Sequence, residues 1–139
     1  MKLQLNRIEK PYLFDVENEI GAKIKMDAAP SIGGTDQGLR PMELVASGLA
    51  GCVAIDVLAI LKKQRLDTNV FQIRIEGTRT DGIPSPFEQI HLAFNVDAHI
   101  DKAKLTKTIQ LVIDKYCSVS ASLSTRIKIN FEIEQNETT

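Results

Sequence analysis

The stretch PMELVASGLAGCVAIDVLAILKKQR, residues 41–65, decides the fold of this chain. Between residues 44 and 61 its one charged residue is Asp56, and it closes with Lys62, Lys63 and Arg65. Pro41 stands where the first turn of a helix tolerates proline, and cations at the end complement the helix dipole. The stretch therefore predicts a helix, apolar nearly all round, that belongs at the centre of a core or at an interface.

The same stretch raises the question of a membrane span. An aspartate at mid-membrane costs about 2.5–3.5 kcal/mol on insertion scales, so Asp56 favours a buried helix of a soluble protein. The first residues hold no apolar run of signal-peptide length, and a net charge of −1 without a basic stripe gives no reason to expect nucleic-acid binding. We expect a cytoplasmic protein, in which the two cysteines do not form a permanent structural disulfide.

Short alternating segments flank the predicted helix on both sides. Three precede it, with a turn at residues 18–21 and a loop at 28–39, and the alternation slips at the end of the first. Three more follow, at about residues 70–80, 89–96 and 127–134, with a loop at 81–86. The sequence predicts an α+β fold with half-buried antiparallel strands, a single domain over residues 1–139, and a frayed tail at 135–139.

A second, amphipathic helix is predicted between the last two strands. Asp101 caps it, and Leu105, Ile109, Val112 and Tyr116 share one face at spacings of three and four. Cys117 and Ser118 mark a break, after which a short helical piece runs to about residue 123.

Cys52 is the first candidate for chemistry. Residues four apart share a helix face, so Gly48, Cys52 and Asp56 form a stripe, with Gly51 beside it. Two glycines in a helix interior cost roughly 1 kcal/mol each against alanine, which makes sense where a backbone or a substrate approaches the sulfur closely. The alternative is a small thiol that fills the core. Asp56 fits a structural or interface role better than a catalytic one, because an ionised carboxylate raises the pKa of a nearby thiol.

Cys117 is the second candidate, because it opens a short helix. Free backbone N–H groups at a helix N-terminus lower a thiol's pKa and favour the thiolate. The alternative is an incidental cysteine at a helix end. His91 and His99 have no third ligand at metal-site spacing, so we expect solvated or partner-facing histidines and neither metal nor cofactor.

With these residues in view, the sequence resembles the OsmC/Ohr family. The likeness rests on PMEL at 41–44, GLAGC at 48–52 and KYCSVS at 115–120, and it covers nearly the whole chain. AIDV at 54–57 is most similar to the YhfA-related subgroup. The resemblance implies antiparallel sheets wrapped around long central helices in an intertwined homodimer. It also implies a thiol-dependent peroxidase that prefers organic hydroperoxides, with Cys52 as the peroxidatic and Cys117 as the resolving cysteine.

The sequence departs from the family pattern at two positions. The family's peroxidases have a glutamate directly after the motif proline, where this chain has Met42, and Glu43 comes one residue later. They also have an arginine in the preceding loop, for which Arg40 is the nearest substitute. We take Cys52, Cys117, Glu43 and Arg40 as the candidate catalytic residues.

Three functions stay open at this point. The first is a hydroperoxide reductase, with a small hydroperoxide as substrate and an external dithiol as reductant. The second is a non-catalytic protein that binds a small apolar ligand, and the third is a thiol carrier.

Overall fold

The computed structural model describes residues 1–135, so all but the first residue of the predicted tail at 135–139 lies outside the described residues. The strands are β1 (Leu3–Glu9), β2 (Leu13–Asn18), β3 (Lys23–Met26), β4 (Phe71–Arg79), β5 (Phe87–Val96) and β6 (Lys128–Glu134). The helices are α1 (Pro41–Lys63), α2 (Lys102–Leu111) and α3 (Ser118–Ser122), with a 3-10 turn at Pro30–Ile32 and a π-helical turn at Val112–Tyr116. The chain forms two compact units, one up to Val45 and one from Ala46 on, and each is described by itself. The single domain stays a prediction.

The first unit contains a three-stranded antiparallel sheet in the order β1-β2-β3. Val16 lies opposite Leu5 on one side and Ile24 on the other, so apolar residues share a face as their alternation requires. The predicted slip of the alternation is an irregularity of pairing between Arg7 and Glu9. The predicted turn at 18–21 holds Gly21 at a φ of +85°, in the left-handed region that glycine adopts readily.

The loop between β3 and α1 is ordered around a buried carboxylate. Asp27 is 2% exposed and accepts hydrogen bonds from the backbone N–H groups of Ala28, Thr35 and Gln37 and from the Thr35 hydroxyl. A buried carboxylate needs such donors, so this loop has a defined path into α1.

The second unit contains a sheet in the order β4-β5-β6, with β5 at its centre. Ile90, Leu92 and Phe94 of β5 are fully buried, as the alternation predicts. The pairing of β4 with β5 is antiparallel, but β5 and β6 run parallel, which corrects the expectation of purely antiparallel sheets. The reason is the helical crossover between β5 and β6, because a connection of this kind returns the chain to the starting end of the sheet.

The helix α1 ends at Lys63, two residues before the predicted end. Arg65 has a φ of +57°, and the Leu66 N–H donates to the Leu61 carbonyl at 2.9 Å, which closes the helix with a left-handed cap.

The helix α1 is buried on one face within its own chain. Ile55 is 70% exposed and Leu58 38% exposed on the outward face. By length and composition alone, α1 is also long and apolar enough to cross a membrane. The buried residues recur at spacings of three and four, and they are Ala46, Leu49, Ala50, Val53, Val57 and Leu61.

Candidate functional site

Cys52 lies in the middle of α1, at the border between the buried and the outward face. Its side chain is half-buried, next to the fully buried Val53. Gly48 and Gly51, on the outward side, face open space: beyond the adjoining helix backbone, a Cβ added at either would meet no described atom within 4 Å. The close approach predicted from these glycines is therefore not made within the described chain.

Cys117 reaches its place through the π-helical turn after α2. Asp101 caps α2 as predicted, since its Oδ1 accepts the Lys104 N–H at 2.7 Å. Leu105, Ile109 and Val112 are fully buried on the predicted face.

Tyr116 does not continue that face, which corrects the prediction. The Cys117 N–H donates to the Val112 carbonyl at 2.8 Å, a bond from residue i+5 to residue i that fits one extra residue into the turn. The inward position passes from Tyr116, which is 59% exposed, to Cys117, which is 3% exposed. The regular spacing of α2 pointed to Tyr116 rather than Cys117, so the sequence pattern did not predict this turn.

The environment of Cys117 raises its pKa above the ordinary range of a thiol. Burial is the main cause, and the neighbouring Cys52 thiol adds to it. Cys117 caps α3, and the Ser120 N–H, which donates to Sγ at 3.3 Å, acts in the opposite direction. The expected lowering of the pKa is therefore wrong, because burial outweighs the helix N-terminus. Both cysteines are free thiols.

A recess of 460 Å³ opens on the Cys52 side of α1. It begins one helical turn after Cys52 and reaches the turn that delivers Cys117. Its residues combine apolar walls with two charges, and they are Asp56, Ala59, Ile60, Lys63, Leu111 and Tyr116. The sequence singled out Asp56 in this set but gave no reason to place Leu111 or Tyr116 beside it.

Arg40 and Glu43 come together at the start of α1. Glu43 Oε2 accepts the Arg40 backbone N–H at 2.8 Å, a capping contact that satisfies a free donor of the first turn. The Arg40 guanidinium donates to the carboxylate of Asp36 and to the Gly38 carbonyl. Both side chains therefore have structural partners in the first unit, and their catalytic role stays a prediction.

The two histidines have separate partners in the second unit. His91 Nε2 lies 3.2 Å from Glu132 Oε1, and His99 Nε2 lies 2.8 Å from the Asp67 carbonyl oxygen. Among residues 1–135, no group of three or more side chains of His, Cys, Asp or Glu is placed to hold a metal ion.

Comparison with known proteins finds a matching family, similar sequences and similar structures. Residues 34–132 match the family of OsmC-like proteins. Protein YhfA of Escherichia coli K12 is 32% identical over 119 residues, which are 85% of this chain and 86% of YhfA. A hypothetical protein from Aquifex aeolicus VF5 has a similar structure, with a TM-score of 0.78 and 29% identity over 98% of this chain and 97% of its own.

A more distant structural relative is an organic hydroperoxide resistance protein from Elizabethkingia anophelis. Its TM-score is 0.72 at 14% identity, over 98% of this chain and 97% of its own. At that identity the likeness concerns the fold, and it agrees with the α+β architecture predicted from the sequence.

Proposed function

This chain belongs to the family of OsmC-like proteins, and from that membership we propose that it is a thiol-dependent reductase of organic hydroperoxides. The observation that carries the proposal is the pairing of its two cysteines: Cys52 and Cys117 are far apart in sequence but neighbours in the fold. The name of the structural relative from Elizabethkingia anophelis supports the substrate class. The proposed role is defence against oxidative stress in the cytoplasm.

The proposed reaction needs two thiols and an external dithiol. The Cys52 thiolate attacks the terminal oxygen of the hydroperoxide, the O–O bond breaks, and the alkoxide leaves as an alcohol after it takes up a proton. Cys52 is then a sulfenic acid. The Cys117 sulfur attacks the Cys52 sulfur, an S–S bond forms, and water leaves. The external dithiol returns two electrons by thiol–disulfide exchange.

The burial of the two sulfurs supports this division of roles. Cys52 is half-buried, so a peroxide can reach it, whereas Cys117 is 3% exposed within its own chain. Its raised pKa keeps Cys117 in the thiol form at neutral pH, which suits a trapping group better than an attacking one.

Replacement of each cysteine by serine tests the roles. We expect Cys52→Ser to abolish the consumption of cumene hydroperoxide in the presence of dithiothreitol. Cys117→Ser should retain the first turnover and slow the return step, because an external thiol can also trap the sulfenic acid. Single-turnover peroxide consumption and mass spectrometry of the Cys52 peptide would measure the two effects.

The outcomes separate the alternatives. Equal loss in both variants would contradict the assignment of Cys52 as the attacking thiol. Failure of the unmutated protein to consume alkyl hydroperoxides would favour the protein that binds a small apolar ligand. That alternative draws its support from Met42, which replaces the family's glutamate, and from the structural contacts of Arg40 and Glu43.

A homodimer is the second part of the proposal. The outward face of α1 exposes Ile55 and Leu58 and presents Gly48 and Gly51 to open space. An apolar helix face of this kind avoids water when a second copy of the chain covers it. We propose that α1 forms the central contact of this dimer.

A further inference from the structure

Asp56 is a half-buried carboxylate one helical turn after Cys52. Residues four apart on a helix have their Cβ atoms about 5–6 Å apart. The five ion pairs found among residues 1–135 do not include Asp56. Its charge therefore has no cation held against it in the described chain and acts on whatever approaches the sulfur.

Asp56 is also the charged residue of α1 that lies closest to Cys52 along the helix. Glu43 comes nine residues before Cys52 and belongs to the capping contact described above, and the next charge after Asp56 is Lys62. Lys63, at the far end of the recess, lies about 10 Å further along the axis than Asp56, at 1.5 Å per residue. Among the charged residues of α1, Asp56 therefore acts on Cys52 from the shortest distance along the helix.

The walls of the recess strengthen that effect. Ala59, Ile60 and Leu111 are apolar and offer a ligand no counter-charge. Apolar walls keep water away and reduce the screening of a nearby charge. A reagent that reaches Cys52 from the recess passes Asp56 in the last helical turn before the sulfur, after Lys63 at the far end. Its own charge then changes its rate of encounter.

We propose that Asp56 determines the charge selectivity of thiol–disulfide exchange at Cys52, so that amine-bearing and neutral reagents exchange faster than carboxylate-bearing ones. This rests on the proposed function in one respect, the reactivity of Cys52. In the exchange, the Cys52 thiolate attacks one sulfur of a disulfide and the S–S bond of the reagent breaks. The departing thiolate takes a proton from water, and Cys52 keeps the other half of the reagent as a mixed disulfide.

The test uses the Cys117→Ser protein, in which Cys52 is the remaining cysteine. Its rates of reaction are measured with cystamine, hydroxyethyl disulfide and dithiodipropionate, which carry positive, zero and negative charge. The same three rates are measured after Asp56→Asn. A change in the Cys52 thiolate fraction multiplies the rates of all three reagents by the same factor, and each reagent's intrinsic reactivity is the same toward both proteins. A change in the ratio of the cystamine rate to the dithiodipropionate rate therefore isolates the charge effect.

We expect that ratio to fall about five-fold in Asp56→Asn, the size of effect that one partly screened charge exerts at this distance. Asp56→Glu should retain the ratio. Asp81→Asn is the matched control, since it removes the same charge from the exposed loop after β4 and should leave the ratio unchanged.

An unchanged ratio in Asp56→Asn would overturn the inference, and so would an equal fall in Asp81→Asn. If Asp56→Asn does not fold, the salt dependence of the Cys117→Ser protein decides. Raising the ionic strength from about 0.01 M to about 1 M shortens the Debye length from roughly 30 Å to 3 Å and should shrink the cation preference. Absence of any cation preference at low salt would also overturn it. Absence of reaction with hydroxyethyl disulfide would instead contradict the proposed reactivity of Cys52.

Discussion

At the scale of single residues, Cys52 and Cys117 differ most in how their own chain surrounds them. Cys52 stands at the border of a helix face, whereas Cys117 lies inside, where its sulfur accepts the Ser120 N–H. A second subunit can cover these sulfurs further but cannot expose Cys117. The two thiols therefore differ in accessibility for a reason that lies within one chain.

The raised pKa of Cys117 predicts how the protein responds to alkaline pH. In the Cys52→Ser protein, thiolate absorbance should titrate above the ordinary cysteine value of about 8.5, because burial, the largest cause of the shift, remains. A pKa that is higher in the folded than in the unfolded state contributes stability below the unfolded value. That contribution is lost as the pH rises toward the folded value. The free energy of unfolding in urea, measured under reducing conditions, should decline above about pH 8.5.

The control is the protein with both cysteines replaced by serine, in which that part of the decline should disappear. A titration midpoint below the ordinary cysteine value would contradict the burial argument. It would restore the helix N-terminus as the dominant influence on Cys117.

At the scale of elements, α1 combines a buried face of ordinary packing with an outward face that has no partner in its own chain. Gly48 and Gly51 lie on that outward face, where the described residues leave room for a side chain. In an isolated chain each glycine lowers helix stability by about 0.8–1.0 kcal/mol relative to alanine. Their presence is explained if a second helix approaches at that point.

Replacement of both glycines by alanine distinguishes a close contact with a second helix, which it should weaken, from an uncovered helix face, which it should stabilise. We expect the Gly48→Ala, Gly51→Ala protein to dissociate at higher protein concentration than the unmutated chain, because the added methyl groups hold the second helix away. Sedimentation across a concentration series would measure this. Ser47→Ala, also on the exposed side of α1, is the control and should leave dissociation unchanged. A gain of about 1 kcal/mol per glycine in the free energy of unfolding, at every concentration, would contradict the close contact.

At the scale of the whole molecule, the proposed homodimer would cover the apolar outward face of α1. It is apolar enough that, by composition alone, the helix could cross a membrane, yet its other face is buried within the chain. A homodimer satisfies both facts, because one face packs inside the chain and the other against the second copy. Stable dimers of this kind bury roughly 800 Å² or more per subunit.

A charge on the outward face should separate the subunits. Ile55→Glu places a carboxylate at the centre of the proposed contact, so we expect a monomer, or a protein that dissociates at least ten-fold more readily, on the cost of an unpaired charge in an interface. Analytical ultracentrifugation would measure the shift. Ile83→Glu makes the same change at a fully exposed isoleucine and should leave the dimer intact. An unmutated chain that sediments as a monomer, or that is recovered with membranes, would contradict the proposed homodimer.

The sequence by itself determined most of the elements and pointed to the two candidate sulfur atoms. The alternation of β5 predicted its fully buried residues, and the spacing of α2 predicted Leu105 and Ile109. Asp101 was predicted to cap α2, and it does. These features depend on neighbours within a few residues, so local periodicity is sufficient to find them. Cys52 and Cys117 were visible because they are the two cysteines of the chain.

The tertiary structure decided the properties that depend on distant parts of the chain. The parallel pairing of β6 with β5 follows from the path of the crossover, and the inward turn of Cys117 follows from one hydrogen bond to Val112. The direction of its pKa shift was opposite to the one expected from the helix N-terminus. A helix end can be read from nearby residues, but the burial that outweighs it is the sum of contacts from elements far apart in sequence.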